Sequence, residues 1–251
     1  MSGAGSRTEL VGRAVLSKQV IAALDNADSF GALLVGEAGV GKTAVAGFVA
    51  EHVQRTAPVL TVTGGSSLRK IPYGALAPYL HGLSVADAGS PVAILRAVMS
   101  HLPVGATGQA QQPPVVVVDD AHELDDSSSA ILAQLMSARR ARVLILMRDS
   151  PTAPAEFRNV SADGLLTRFD VQPLDPDEVS LVCSQVLGGP VLTGTSRLLA
   201  QLTSGNPRFL RILLEQGLAE GFLTRRNGVW RLATEQPLLH QQLGDLIRAQ
   251  L

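Results

Sequence analysis

A single cysteine, Cys183, leaves no partner for an intrachain disulfide, and no cysteine and histidine pair stands at zinc-ligand spacing. A disulfide scaffold and a structural zinc site are both excluded. Aromatic residues make up only 4% of the chain, while 46% is apolar. The core must therefore be built from Ala, Leu, Val and Ile, which favours helices packed on a sheet over an all-β sandwich. A formal net charge of -1 over 251 residues supplies no basic surplus for a nucleic-acid or anionic-membrane surface. No apolar run approaches the roughly 18 residues of a membrane span, and the small, polar residues 1–8 lack the apolar centre of a secretory signal. The expectation is a cytoplasmic protein with no membrane partner.

Against this background several short apolar runs stand out. Gly31 to Val35 (GALLV) is followed by a glycine-rich turn and then a helical pattern from Ala44 to Val53. Val59 to Val62 reads as a second strand, and Val115 to Val118 is four consecutive valines, the β-branched run of a strand buried on both faces. A helix from about Ser127 to Arg140 follows, with Asp125, Asp126 or Ser127 available as N-cap. Val143 to Met147 and Leu165 to Val171 are further strands. Strands alternating with helices imply βαβ units, hence an α/β fold with a mainly parallel sheet flanked by helices. Residues 105–114 (GATGQAQQPP) have the composition of a surface linker.

After Gln172 the pattern changes to three helices, Asp175 to Leu187, Ser196 to Thr203 and Pro207 to Glu220, with no buried strand between them. Phe222 to Arg225 and Val229 to Leu232 form a small hairpin across Asn227-Gly228. A last helix from about Leu238 runs to the end of the sequence inside an amphipathic pattern. The division expected is a core over residues 1–173 and a smaller helical lid subdomain over 174–251, with the chain ending inside a longer protein.

The densest chemical signal is Gly36, Glu37, Ala38, Gly39, Val40, Gly41, Lys42 and Thr43, a complete G-x-x-x-x-G-K-[ST] match between a strand and a helix. This is the pattern of a P-loop nucleoside triphosphate site, here expected to take ATP or ADP with Mg²⁺. The glycines let backbone approach phosphate oxygens closely, and the N–H groups from Gly39 to Ala44 donate to the anion at a helix N-terminus. Lys42, one of only three lysines with Lys18 and Lys70, is expected to bridge β- and γ-phosphates. The Thr43 hydroxyl suits Mg²⁺, a cation that prefers oxygen ligands.

The valine strand ends in Asp119 and Asp120, two carboxylates at the carboxyl edge of a parallel sheet, where open α/β sheets bind ligands. Asp119 is the expected holder of the Mg²⁺ shell, and Asp120 the general base that polarises an attacking water. Many ATPases carry Glu at this second position; Asp reaches about one methylene less, which implies slow hydrolysis. Helix capping by these two aspartates is the plainer alternative. His122 reads either as a proton shuttle or as a loop or packing residue. Arg148, ending the strand Val143 to Met147, is a candidate sensor of the γ-phosphate, or else a surface salt-bridge arginine. Gly205, Asn206, Pro207 and Arg208 open a helix; Pro207 is a candidate for adenine contact and Arg208 a second γ-phosphate candidate, with plain helix initiation by Pro207 as the alternative.

With these parts in order, the chain resembles the signal-transduction ATPases with numerous domains, and among them the AAA+-like ATP-binding module of large LuxR-type transcriptional regulators. The residues that carry this are Leu10 to Arg13 before a helix, GEAGVGKT, Ile71 to Leu76 (IPYGAL), VVVVDDAHELD, LILMR, the helix start Leu174 to Glu178, and SGNP. The resemblance implies that Val11, Gly12 and Arg13 pack at the adenine; the family's usual acidic residue after that arginine is Ala14 here. Arg208 resembles instead the sensor arginine of clamp-loader and Holliday-junction helicase ATPases. Regulators of this family continue into a winged helix, helical repeats and a helix-turn-helix. DNA is therefore expected as a partner only of a helix-turn-helix absent from this chain.

Three functions follow from these readings. The first is a nucleotide-operated switch, in which ATP closes the lid subdomain, an unknown small-molecule or protein signal biases that closure, and slow hydrolysis resets it. The second is an oligomeric remodelling or clamp-loader-like ATPase with ATP-dependent self-association, whose arginine finger would come from Arg139, Arg140 or Arg142. The third, a nucleic-acid-binding module, rests on Arg225, Arg226 and the hairpin alone.

Overall fold

The structure, a computed structural model, describes residues 11–26, 28–84, 87, 89–102, 113–150, 154–162 and 164–233. Residues 105–112 of the linker and the helix expected from Leu238 lie outside them. The chain divides into two compact units, one built on residues 15–37 and 45–170, the other on residues 11–14, 38–44 and 171–233.

The first unit is a five-stranded parallel sheet. Its strands are β1 (Gly31–Val35), β2 (Val59–Thr63), β3 (Val115–Asp119), β4 (Arg142–Met147) and β5 (Leu166–Asp170), in the order β2-β3-β4-β1-β5. The burial of each strand follows its place. Every residue of β1 is buried, as are the four valines of β3 and Val143 to Met147 of β4. At the edges, β2 alternates buried Leu60 and Val62 with exposed Thr61 and Thr63, and β5 buries only Leu166 fully. Continuous apolar runs thus mark the three central strands, which need cover on both faces, and polar alternation marks the two edges.

One face of the sheet presents Leu33, Leu60, Val116, Val118, Ile145 and Met147 to a core shared with Ile94, Val98, Ile131, Leu135 and Phe157. These come from α3 (Pro91–Ser100), α4 (Asp126–Ser137) and α5 (Ala155–Ala162). The alternate residues Ala32, Leu34, Val117, Leu144 and Leu146 are buried too. The remaining helices of this unit are α1 (Ala14–Asp25), which buries Val20 and Leu24, and α2 (Lys42–Val53), which buries Val45 and Val49. Helix α3 is capped by Ser90, which accepts from the Ala93 amide, and opens with Pro91.

Glycine is required at the start of β1. Gly31 has φ +147°, and a Cβ there would stand 2.8 Å from the Val143 backbone nitrogen of the neighbouring strand.

In the second unit, α6 (Pro176–Val186), α7 (Thr193–Thr203) and α8 (Pro207–Ala219) precede an antiparallel hairpin of β6 (Leu223–Arg226) and β7 (Val229–Leu232). Asp175 accepts from the Asp177 and Glu178 amides while Glu178 returns a bond to the Asp175 amide, a reciprocal capping box. Val179, Cys183, Leu199, Leu210, Leu213, Leu214, Phe222 and Leu223 form the core. The hairpin turn places Asn227 at φ 50° and Gly228 at φ 79°, the left-handed pair that matches the twist of the strands. No described helix is long and apolar enough to cross a membrane.

Candidate nucleotide-binding site

All five strands of the first unit run in parallel, so their carboxyl ends share one edge. There β1 delivers Gly36 and Glu37, β3 delivers Asp119 and Asp120, and β4 delivers Arg148. The Gly36 amide donates to the Met147 carbonyl at 3.3 Å, which ties the start of the phosphate loop to the strand end that carries Arg148. Arg148 itself is exposed, and among the described residues it makes no ion pair. The neighbouring cation Arg168 is engaged, its Nη2 lying 2.8 Å from Asp170 and 3.8 Å from Asp149.

The aspartate pair has a defined backbone. Asp120 sits at φ 46° and ψ 45° with no side-chain capping bond, and its amide donates to Oδ1 of Asp119 at 2.9 Å. This left-handed conformation is one that Asp tolerates better than most residues. Gly64 fixes it from outside: its amide donates to the Asp119 carbonyl at 2.8 Å. A Cβ on Gly64 would come within 3.1 Å of the carbonyl carbons of both Asp120 and Glu123. Capping of α4 is done by Asp125, whose carboxylate accepts from the Ser128 amide at 2.9 Å and the Ser128 hydroxyl at 2.6 Å. Asp120 is thereby left without a capping duty. His122 is buried and lies 3.9 Å from Glu123, which in turn faces Arg69 at 4.0 Å.

In the second unit, the loop residues 38–44 lie beside Arg13 and Arg208, two of the residues expected at the adenine or the γ-phosphate. Gly39 and Gly41 have φ of 76° and 103°, conformations that leave glycine as the residue of choice. Val40 and Lys42 are buried, Thr43 is exposed, and the first turn of α2 contains no acidic side chain. The loop carbonyls are taken up one after another. Asn206 Nδ2 donates to Ala38 at 2.9 Å, the Arg208 amide donates to Gly39 at 3.3 Å, and Arg13 Nη2 donates to Val40 at 3.1 Å.

Arg13 also donates to the Gln172 carbonyl at 2.5 Å. Burial holds its guanidinium below the ordinary arginine value, and the Glu178 carboxylate opposes that shift. Gly12, at φ +74°, leaves no room for a Cβ against the Glu178 side chain. Val11 is half-buried and Gly12 exposed. Pro207 opens α8 at its first position, and Asn206 caps that helix by accepting from the Arg208 amide at 3.0 Å. Gln172 and Gly64 stand in no motif that marks them as site residues, and Asn206 stands in the Gly205 to Arg208 segment, where the sequence gives it no role of its own.

Among the described residues, none accepts a hydrogen bond from the amides of Gly39, Val40 or Gly41. A run of such amides beside a lysine, a threonine hydroxyl and a helix N-terminus free of acidic side chains fits a polyphosphate. Within the first unit the aspartate pair, and within the second the Thr43 hydroxyl, are each hard oxygen donors of the kind that Mg²⁺ takes.

The family described as AAA ATPase domain matches residues 9–147. The chain belongs to that family. No curated protein matches it. Among solved structures, the fold is similar to the RuvB Holliday junction branch migration motor of Thermotoga maritima, with a TM-score of 0.56 at 14% identity, covering 94% of this chain and 70% of that one. It is similar too to the Orc1 protein of Aeropyrum pernix in complex with DNA, with a TM-score of 0.57 at 16% identity, covering 99% of this chain and 65% of that one. Domain III of the replication initiation protein DnaA from Thermotoga maritima gives a TM-score of 0.57 at 13% identity, covering 85% and 88%. At these identities the likeness concerns the fold, and it agrees with the parallel sheet flanked by helices that the sequence implies.

Proposed function

We propose that this AAA ATPase domain is an ATP-binding, slowly hydrolysing switch, the signalling module of a larger LuxR-type transcriptional regulator. Gly39 to Ala44 bind the phosphates through backbone amides, Lys42 bridges the β- and γ-phosphates, and Arg148 and Arg208 report the γ-phosphate. Val11, Gly12, Arg13 and Pro207 serve the adenine side. Thr43 and Asp119 would hold Mg²⁺, which when bound would neutralise charge on the phosphate oxygens. Asp120 orients and deprotonates the attacking water.

The observation that carries the slow-switch reading is Asp120 itself. It is the shorter carboxylate, free of capping duty, held in a left-handed backbone at φ 46°. A carboxylate one methylene short positions water less well, and hydrolysis then serves to reset a state rather than to drive work. Nucleotide occupancy is read out by the helical unit, an unidentified signal biases that readout, and turnover restores the ground state.

The motor reading needs an arginine offered to a neighbouring copy. Arg139 instead lies over the Phe30 ring with its guanidinium carbon 4.9 Å from the centroid, and Arg142 donates to the Leu24 carbonyl. Both are engaged within their own unit, which leaves exposed Arg140 as the finger candidate of the motor reading.

The test is turnover and molar mass measured together with saturating MgATP. A monomer hydrolysing far below about 1 s⁻¹ supports the switch; an ATP-driven ring with turnover of that order or above would support the motor instead.

A further inference from the structure

The three consecutive carbonyls of Ala38, Gly39 and Val40 are held by Asn206 Nδ2, the Arg208 amide and Arg13 Nη2 at 2.9, 3.3 and 3.1 Å. Each of these peptide bonds is trans. In a trans peptide the C=O of one residue points opposite to the N–H of the next. Fixing those carbonyls therefore fixes the amides of Gly39, Val40 and Gly41 on the opposite side. These are the same amides that find no acceptor among the described residues.

From this we infer that Asn206 and Arg13 are positioning residues: they grip the outside of the phosphate loop by its carbonyls and so aim its amides at the polyphosphate. The inference rests on the nucleotide-binding reading above, and deepens it by assigning residues that touch no phosphate themselves. Preorganisation is the physical gain, because amides already aligned need no ordering when the anion arrives.

The packing is close enough to hold this geometry. A Cβ on Gly39 would lie 2.7 Å from Arg208 Cβ and 3.0 Å from Asn206 Oδ1. Arg13 is buried and bonds both Val40 and Gln172. The grip also couples two functions of Asn206. Its Oδ1 caps α8 by accepting from the Arg208 amide at 3.0 Å while its Nδ2 holds Ala38, so helix start and loop orientation are set by one side chain.

Asn206→Ser separates these functions. Serine caps helices about as well as asparagine but lacks the amide donor and is too short to reach Ala38. In the full chain, titrate ADP, inorganic pyrophosphate and adenosine against the wild type and the variant. The expected result is affinity for ADP and pyrophosphate about tenfold weaker in the variant, the upper range for one ordinary hydrogen bond. Adenosine affinity should stay unchanged, and the thermal midpoint should fall by no more than the loss of one hydrogen bond allows, because the cap is kept. Should Asn206→Ser fail to fold, Asn206→Thr also keeps a capping oxygen and removes the amide donor without adding charge, and the same outcome is expected. Unchanged ADP affinity in a folded variant, or an equal loss for adenosine, overturns the carbonyl grip alone. A wild type that binds neither ADP nor ATP overturns the nucleotide reading and the grip with it.

Discussion

The backbone amide of Tyr73 donates to Oδ1 of Asp125 at 2.9 Å across 52 positions of sequence. The same carboxylate takes the Ala75 amide at 3.4 Å and both the amide and the hydroxyl of Ser128. A buried carboxylate thus joins the 3-10 turn Gly74–Tyr79 to the start of α4, one short 3-10 turn, Ala121–Glu123, after the aspartate pair. Asp125→Ala removes an N-cap and strands two backbone donors from a distant turn. The expected cost is about 3 kcal/mol, more than a cap alone, and urea unfolding monitored by circular dichroism measures it.

The backbone of Asp120 gives a second prediction. Asp120→Asn should abolish ATP turnover while leaving ATP affinity within about twofold, because a general base acts on the water and not on ground-state phosphate binding. Asp120→Glu should raise turnover by roughly tenfold if reach limits the base, although glutamate tolerates the left-handed backbone less well. Gly64→Ala, which pushes on the Asp120 and Glu123 carbonyls, should lower turnover as Asp120→Asn does, without weakening ATP binding. Single-turnover hydrolysis alongside equilibrium titration separates these outcomes.

The parts legible in the sequence were those governed by local pattern. GALLV and VVVVD announced central strands because continuous burial demands continuous apolar residues, and Asn227-Gly228 announced its turn because only such residues accept positive φ cheaply. Helix α3 carries a readable signal in Ser90-Pro91 before an apolar run. The choice of Asp125 over Asp126 or Ser127 as the cap of α4 was not legible, since it is decided by amides some 50 positions away. Nor was the hold on the phosphate loop: Asn206 meets Ala38 across 168 positions, and nothing within either segment encodes that contact. The sequence pattern identified Gly36 to Thr43 as a loop for phosphate, whereas what fixes the loop's carbonyls is tertiary.

Cys183 yields a pH prediction. Burial pushes its thiol from the ordinary 9.0 up to about 12. The folded state therefore holds the proton more tightly than the unfolded state, and stability is fully present below about pH 9 and declines as pH rises from there toward 12. Unfolding midpoints should fall across that window, less so in Cys183→Ala once its own packing loss is subtracted. The native thiol should also resist a thiol reagent at pH 8 and react only after unfolding.

The central claim is that Gly36 to Thr43 bind a nucleoside triphosphate, with Lys42 as the phosphate cation. Calorimetric titration of MgATP into the wild type and Lys42→Ala tests it most directly, with circular dichroism to establish that both are folded. The account predicts a saturable one-site isotherm for the wild type and affinity about 100-fold weaker for the variant, the scale of charge-assisted hydrogen bonds to a phosphate. Equal affinity in the two folded proteins would contradict it.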